Sequence, residues 1–234
     1  LKKLRAQTQA RGPKASGATT TSRQLKILAL VIGVKDYTGV TPLANTLNDA
    51  DDIAAKFEEM GCDVRKLTDA TQAGPVTKNA MKKCRRELLD MIDQHGRTNT
   101  AVILAFMGHG VEYDGQQYLL PQDWDDDDPR ALVDEAMSLQ ETLAQIEAKK
   151  PLVTLAFLDC CREHASVRGG VFGAGGLGAL KGPSGSLVMY ATGQGMLAAD
   201  AGGVQQMLAP AVAPGGQSRN GAFTAALLKH IATP

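Results

Sequence analysis

The chain has no excess of either charge. Its 234 residues carry 25 Lys and Arg against 25 Asp and Glu. That balance argues against a nucleic-acid groove or a polybasic membrane patch. It also lacks a long apolar run. A membrane-spanning helix needs roughly 18 or more such residues, and the longest stretch here, Ile27 to Val34, is only strand length. The apolar core of a secretory leader is missing, and residue 1 is not Met, so a mature form or a fragment is expected. Cysteines number only four, too few for a disulfide framework in a chain of this size. Cys160 and Cys161 are adjacent and poorly placed to pair with each other. Cys62 and Cys84 are expected to be reduced, half-buried thiols in a cytoplasmic setting. No internal repeat is visible. The length suits one large domain with a full core.

What the chain does contain is an alternation of short apolar runs and amphipathic segments. Residues 1–24 are rich in Lys, Arg, Thr, Ser and Gly and read as a flexible N-terminal arm. Leu25 to Val34 reads as a central strand. Asn48 to Met60 is expected to be helical, with Ile53, Ala54 and Phe57 on one face and Gly61 as its stop. Cys62 to Leu67 is a second strand. Val76 to Gln94 is an amphipathic helix, with Met81, Cys84, Leu88, Met91 and Ile92 as its apolar stripe. Gly115 to Pro121 is a hairpin-like extension. Ser138 to Lys149 is a helix opening on a capping box, Ser138 with Glu141. Glu163 to Gly185 is Gly-rich and predicts a long loop, a length usually tied to function or disorder. Ser186 to Ala191 is a further strand, Ala201 to Ser218 a second loop and Asn220 to Ile231 a last helix. Such alternation predicts an α/β fold, a mainly parallel sheet with helices on both faces in three layers.

Two of the apolar runs end in reactive side chains. Ala101 to Met107 leads into Gly108-His109-Gly110, and Leu152 to Leu158 leads into Asp159-Cys160-Cys161-Arg162. In a parallel sheet, catalytic and ligand groups gather at the carboxyl ends of the strands. A His and a Cys at two such ends can face each other across one crevice, as a thiol nucleophile and its base must. A lone Cys is more often a small buried hydrophobe; the histidine strand tips the balance toward chemistry.

These segments resemble the caspase-like cysteine peptidases: caspases, metacaspases, paracaspases and orthocaspases. Leu28 to Gly33 with Tyr37 is similar to the family's first strand. Pro42-Leu43 through Asn48-Asp49-Ala50 is similar to the helix entry of metacaspases and orthocaspases. Gly108-His109-Gly110 with Tyr118-Leu119-Leu120-Pro121 resembles the histidine loop, and Asp159-Cys160-Cys161-Arg162 the cysteine strand end. Tyr190-Ala191-Thr192-Gly193-Gln194-Gly195 and Asn220-Gly221-Ala222-Phe223-Thr224 resemble the small-subunit region. The His-to-Cys interval also matches the family's, roughly 50 residues with His upstream. The resemblance covers roughly residues 25–232. It implies a peptidase domain over 25–234, divided into a large-subunit-like part (25–165), a linker loop (166–185) and a small-subunit-like part (186–234).

The resemblance implies roles. Cys161 is the expected nucleophile, because the family's stands two residues after the Asp. His109 is the expected base and proton shuttle. The backbone N–H groups of Gly110 and Cys161 would form the oxyanion hole. Asp49, Asp159 and Asp200 occupy positions that in the family line the pocket for the residue before the scissile bond. Carboxylates there select a cation, Arg above Lys because its planar fork meets them bidentately. Asp49 could instead simply start its helix. The expected partners are thus protein or peptide substrates with Arg or Lys before the cleaved bond. Arg168, Lys181 and Arg219 lie in Gly-rich segments and are candidate self-processing sites, as Arg11 and Arg23 are in the arm.

Other features carry blander readings. Asp125 to Asp128 could suggest calcium, yet four consecutive carboxylates lack the alternating ligands of an EF-hand, and a solvated turn is expected. No metal or cofactor is therefore expected, with calcium activation left open. His95 and His230 fall at helix ends, where they can meet terminal carbonyls; His164 is a loop residue. Gly173 to Gly178 is glycine-rich but lacks the Lys-Ser/Thr of a P-loop, which argues against a nucleotide site. The alternative class is a catalytically silent caspase-like interaction module. The resemblance implies one further strand after the last helix, used in caspase dimers; the oligomeric state is left open.

Overall fold

The computed structural model describes residues 25–70, 74–125, 128–164, 185–191 and 219–232. The N-terminal arm, most of the linker and the second Gly-rich loop lie outside them, as do Asp126, Asp127, Arg168, Lys181 and Asp200.

The described chain forms a seven-stranded sheet. Its elements are β1 (Lys26–Gly33), α1 (Thr46–Glu59), β2 (Asp63–Thr68), α2 (Lys78–His95), β3 (Thr100–Tyr113), β4 (Gln116–Leu119), α3 (Leu132–Glu135), β5 (Met137–Ser138), α4 (Leu139–Ala148), β6 (Val153–His164), β7 (Ser186–Tyr190) and α5 (Ala222–His230). Five strands run parallel in the order β2-β1-β3-β6-β7; β4 adds antiparallel to the upper half of β3, and β5 antiparallel to β4. This is the expected caspase-like α/β architecture, a mostly parallel sheet flanked by helices.

Strand alternation divides the core in two. Leu28, Leu30 and Ile32 of β1 pack with Val102, Leu104 and Phe106 of β3 against Met81, Leu88 and Ile92 of α2 and Leu143 and Ile146 of α4. Ile27, Ala29 and Val31 pack with Ala101, Ile103 and Ala105 against Ile53, Ala54 and Phe57 of α1, with Phe223 and Leu227 of α5 alongside. Both faces of β1 and β3 are therefore apolar, as in a sheet covered on both sides. Thr77 caps α2, its hydroxyl accepting from the Ala80 N–H at 3.2 Å. Ser138 caps α4 in the same way through the Glu141 N–H.

Two strands outrun their apolar sequence. β3 continues through His109 to Tyr113, and β6 through Cys161 to His164, where a loop was expected from Glu163. Continued pairing explains both extensions: β3 and β6 stay in register from Ala101↔Val153 to Glu112↔His164. The other edge of β3 is taken up by β4, which folds back through Asp114 and Gly115. These adopt φ of +51° and +69°, the left-handed pair that a two-residue hairpin requires. Ladder bonds there do not depend on apolar side chains, so hydropathy alone ends the strands too early. The short α3 and β5 were likewise not anticipated.

Candidate active site

His109 and Cys161 are direct Cα partners across β3 and β6. They lie within the paired strands rather than after them. Two residues earlier Met107 faces Asp159, and Gly108 faces Cys160. Cys160 is buried in the α2/α4 side of the core. Asp159 lies on the other side, where its carboxylate accepts a 2.9 Å hydrogen bond from the Thr224 hydroxyl of α5. Position 161 has the parity of 159. For 161–164 the structure describes the strand and its pairing alone.

The histidine is held from three directions. Its Nε2 lies 2.8 Å from the Thr41 carbonyl oxygen. A carbonyl only accepts, so Nε2 is the donating nitrogen of this contact. The backbone N–H of His109 donates to the Tyr37 hydroxyl at 2.7 Å. The Tyr37 ring also meets the imidazole edge-on, with centroids 4.7 Å apart. The His109 carbonyl accepts from Leu120 N–H at 3.0 Å.

Thr41 is placed by a loop that is itself pinned. One carboxylate oxygen of Asp69 accepts from the N–H groups of Lys35 and Asp36 at 3.0 and 2.8 Å. Thr38 N–H donates to the Gln122 carbonyl, and Gly39 N–H to the Trp124 carbonyl, both at 3.0 Å. Gly39 must be glycine, since a Cβ there would stand 2.6 Å from that Trp124 oxygen.

In β3, Met107 turns its main-chain carbonyl toward β1 and Val34, and His109 its own toward β4. Gly110, one residue on, therefore turns its N–H to the opposite edge, the side of β6 and Cys161.

The carboxylates come together around Gly221. Asp49, in the first turn of α1, is 3 % exposed, and its two oxygens accept from the Gly221 N–H at 3.0 and 3.3 Å. The N-cap of α1 is Asn45, so starting that helix is not what holds Asp49. A Cβ on Gly221 would stand 3.2 Å from Asp49 Oδ2 and 3.5 Å from Asp159 Oδ2. Two of the three expected acids thus share one point; Asp200 is outside the described residues. Gly221 is the N-cap of α5, whose positive dipole end favours negative charge.

Asp52, one turn after Asp49, fastens the chain just before. Its carboxylate takes both Nε and an Nη of Arg219 at 2.8 Å, and Asn220 Nδ2 at 2.9 Å. Arg219 is therefore engaged by α1 rather than loose. Among the described residues, no three His, Cys, Asp or Glu side chains are placed to share a metal ion; Asp128 of the acidic run pairs with Arg130. Also among the described residues, no helix is long and apolar enough to cross a membrane. Among the described residues, Cys62, Cys84 and Cys160 form no disulfide. His95 and His230 stand in the last turns of α2 and α5 as expected.

Sequence reasoning missed the roles of Thr41, Gly221, Thr224 and Asp52. Gly221 and Thr224 fall in a run that had been matched to the family, which marked the segment but not its contacts. Thr41 acts through its carbonyl, which no residue type announces.

A family model described as a caspase domain matches residues 26–234. A search of curated proteins found no match.

Proposed function

Because this chain belongs to the caspase-domain family of cysteine peptidases, we propose that it is an endopeptidase with a His109–Cys161 dyad that cleaves after Arg or Lys. The single observation carrying the dyad is the pairing of His109 with Cys161, joined to a histidine whose Nε2 is already committed to Thr41. Nδ1 is then the nitrogen left to act as base. It takes the thiol proton as Sγ attacks the scissile carbonyl carbon. The carbonyl π pair moves onto oxygen, where the Gly110 and Cys161 N–H groups would be the donors once the β3–β6 ladder releases them. Collapse expels the amine, which receives the proton from Nδ1, and leaves a thioester. Water then attacks, with His109 as base again, releasing the acid and restoring the thiol.

The preference for a cation is supported by Asp49 and Asp159 converging at Gly221. Two carboxylates brought to one point repel, and a guanidinium between them would relieve that repulsion with charge-assisted bonds. An Asp-cutting pocket needs the opposite charge. Self-processing belongs to the same reading. Arg168 and Lys181 are the better candidates, because cutting after Arg219 first requires its release from Asp52.

Matched fluorogenic peptides ending in Arg, Lys or Asp, with and without calcium, test this against Cys161→Ala. Arg or Lys cleavage that the variant loses supports both dyad and pocket. Asp cleavage overturns the pocket, and no cleavage under any condition favours the silent interaction module. Self-processing is read by intact mass after long incubation; an uncut active chain refutes it.

A further inference from the structure

The geometry points to Tyr37 as the residue that positions the dyad histidine, by standing in for a missing strand. This rests on the reading of His109 as the base. β1 stops at Gly33, opposite Met107, and β4 begins to pair only at Gly110. Between them, one stretch of the β3 edge has no strand beside it. His109 lies in that gap. Its carbonyl reaches Leu120, but its N–H has no backbone partner on that edge. The hydroxyl of Tyr37, four residues beyond the end of β1, accepts that N–H at 2.7 Å.

The tyrosine is itself fixed. It is 6 % exposed and packs in the core with Phe106 and Trp124. The strand is shaped to receive it: a Cβ on Gly108 would stand 2.5 Å from the Tyr37 oxygen and 2.7 Å from Phe106 Cζ. Glycine at 108 is thus required by the close approach of the phenol. The same loop carries Thr41, whose carbonyl takes Nε2. One loop therefore holds the main chain of the histidine at one end and its ring at the other.

Removing the phenolic oxygen keeps the aromatic packing but leaves an N–H without its acceptor in a half-buried strand, an arrangement folded chains avoid. The strand end then shifts to find water or another acceptor, and small displacements of a catalytic group are amplified in rate. Tyr37→Phe is expected to lower kcat about tenfold and leave KM within about twofold, because the acid pocket is untouched.

The decisive experiment joins kinetics to amide hydrogen exchange on the full chain, with the Leu104 amide as reference for intact folding. Support is the kcat loss together with His109 N–H exchange accelerated about tenfold or more and Leu104 unchanged. An unchanged kcat overturns the proposal, as does a kcat loss with His109 still protected. If the wild-type chain cleaves no peptide, the dyad reading fails separately; exchange at His109 still decides for or against Tyr37. Should Tyr37→Phe not fold, 3-fluorotyrosine at this position keeps the ring and weakens the acceptor oxygen. A smaller fall in kcat is then expected, and none refutes the role.

Discussion

Replacing Gly221 with Ala tests the acid pocket at its centre. The backbone permits it: φ is −60° and ψ 157°, an ordinary extended conformation. The new methyl would lie 3.2 Å from one oxygen of Asp49 and 3.5 Å from one of Asp159. The first contact is tighter than carbon and oxygen tolerate without a small adjustment, and the methyl occupies space that both carboxylates face. A unit cation about 4 Å from a carboxylate gains about 4 kcal/mol at an effective dielectric near 20. Moving it out by about 1 Å costs roughly 0.8 kcal/mol for each acid. With both acids affected, kcat/KM for an Arg peptide should fall about tenfold. A matched citrulline peptide keeps the shape without the charge and should change far less. The assay is the ratio of the two specificity constants, wild type against Gly221→Ala. Folding should survive, since Gly and Ala at an N-cap differ by about 1 kcal/mol or less. An equal fall for both peptides would show that α5 had moved as a whole. No fall for either would remove Gly221, and with it the two acids, from the substrate's path.

Two further outcomes follow from the electrostatics. The hydrogen bond from Arg219 holds the Asp52 carboxyl below its ordinary value of 3.8, although partial burial pulls the other way. A depressed folded-state pKa gives stability that is full above 3.8 and lost as pH falls through the lower folded value. Urea unfolding of Arg219→Ala should therefore show a small deficit at neutral pH that closes in acid; a deficit that persists in acid would assign Arg219 another role. Burial, aided by the nearby Glu87, raises the Cys84 thiol above its usual range. Iodoacetamide at neutral pH should accordingly alkylate Cys161 well before Cys84, as read by peptide mass mapping, and the reverse order would argue against an activated Cys161.

Much of the fold was legible because its signals are local. The apolar runs from Ile27 and Ala101 mark strands buried on both faces. The stripe from Met81 to Ile92 marks a helix, and Ser138 sits where a cap belongs; the Thr77 cap fell inside the expected helix. Strand ends were less legible. Backbone pairing between β3 and β6 carries both strands past the residues whose hydropathy announced them, so His109 and Cys161 were expected just outside a ladder that in fact includes them. The candidate site followed the same division. His109, Asp49 and Asp159 could be named from residue type and motif order. The roles of Thr41, Tyr37 and Gly221 could not, because they contribute a carbonyl, a hydroxyl aimed at a backbone amide, and an absent side chain.

The sequence by itself determined which chemistry is available: a thiol and an imidazole at the ends of two buried apolar runs, with carboxylates in the neighbouring motifs. Those properties reside in side chains and in periodicities of two and 3.6 residues, which local order carries. The tertiary structure decided which imidazole nitrogen meets the Thr41 carbonyl, which acids meet, and which loop holds the histidine. Each of these depends on contacts between segments far apart in the chain. Thr41 lies 68 residues from His109, and Asp49 lies 172 from Gly221. Such contacts are set by how the sheet is ordered and by where each strand stops.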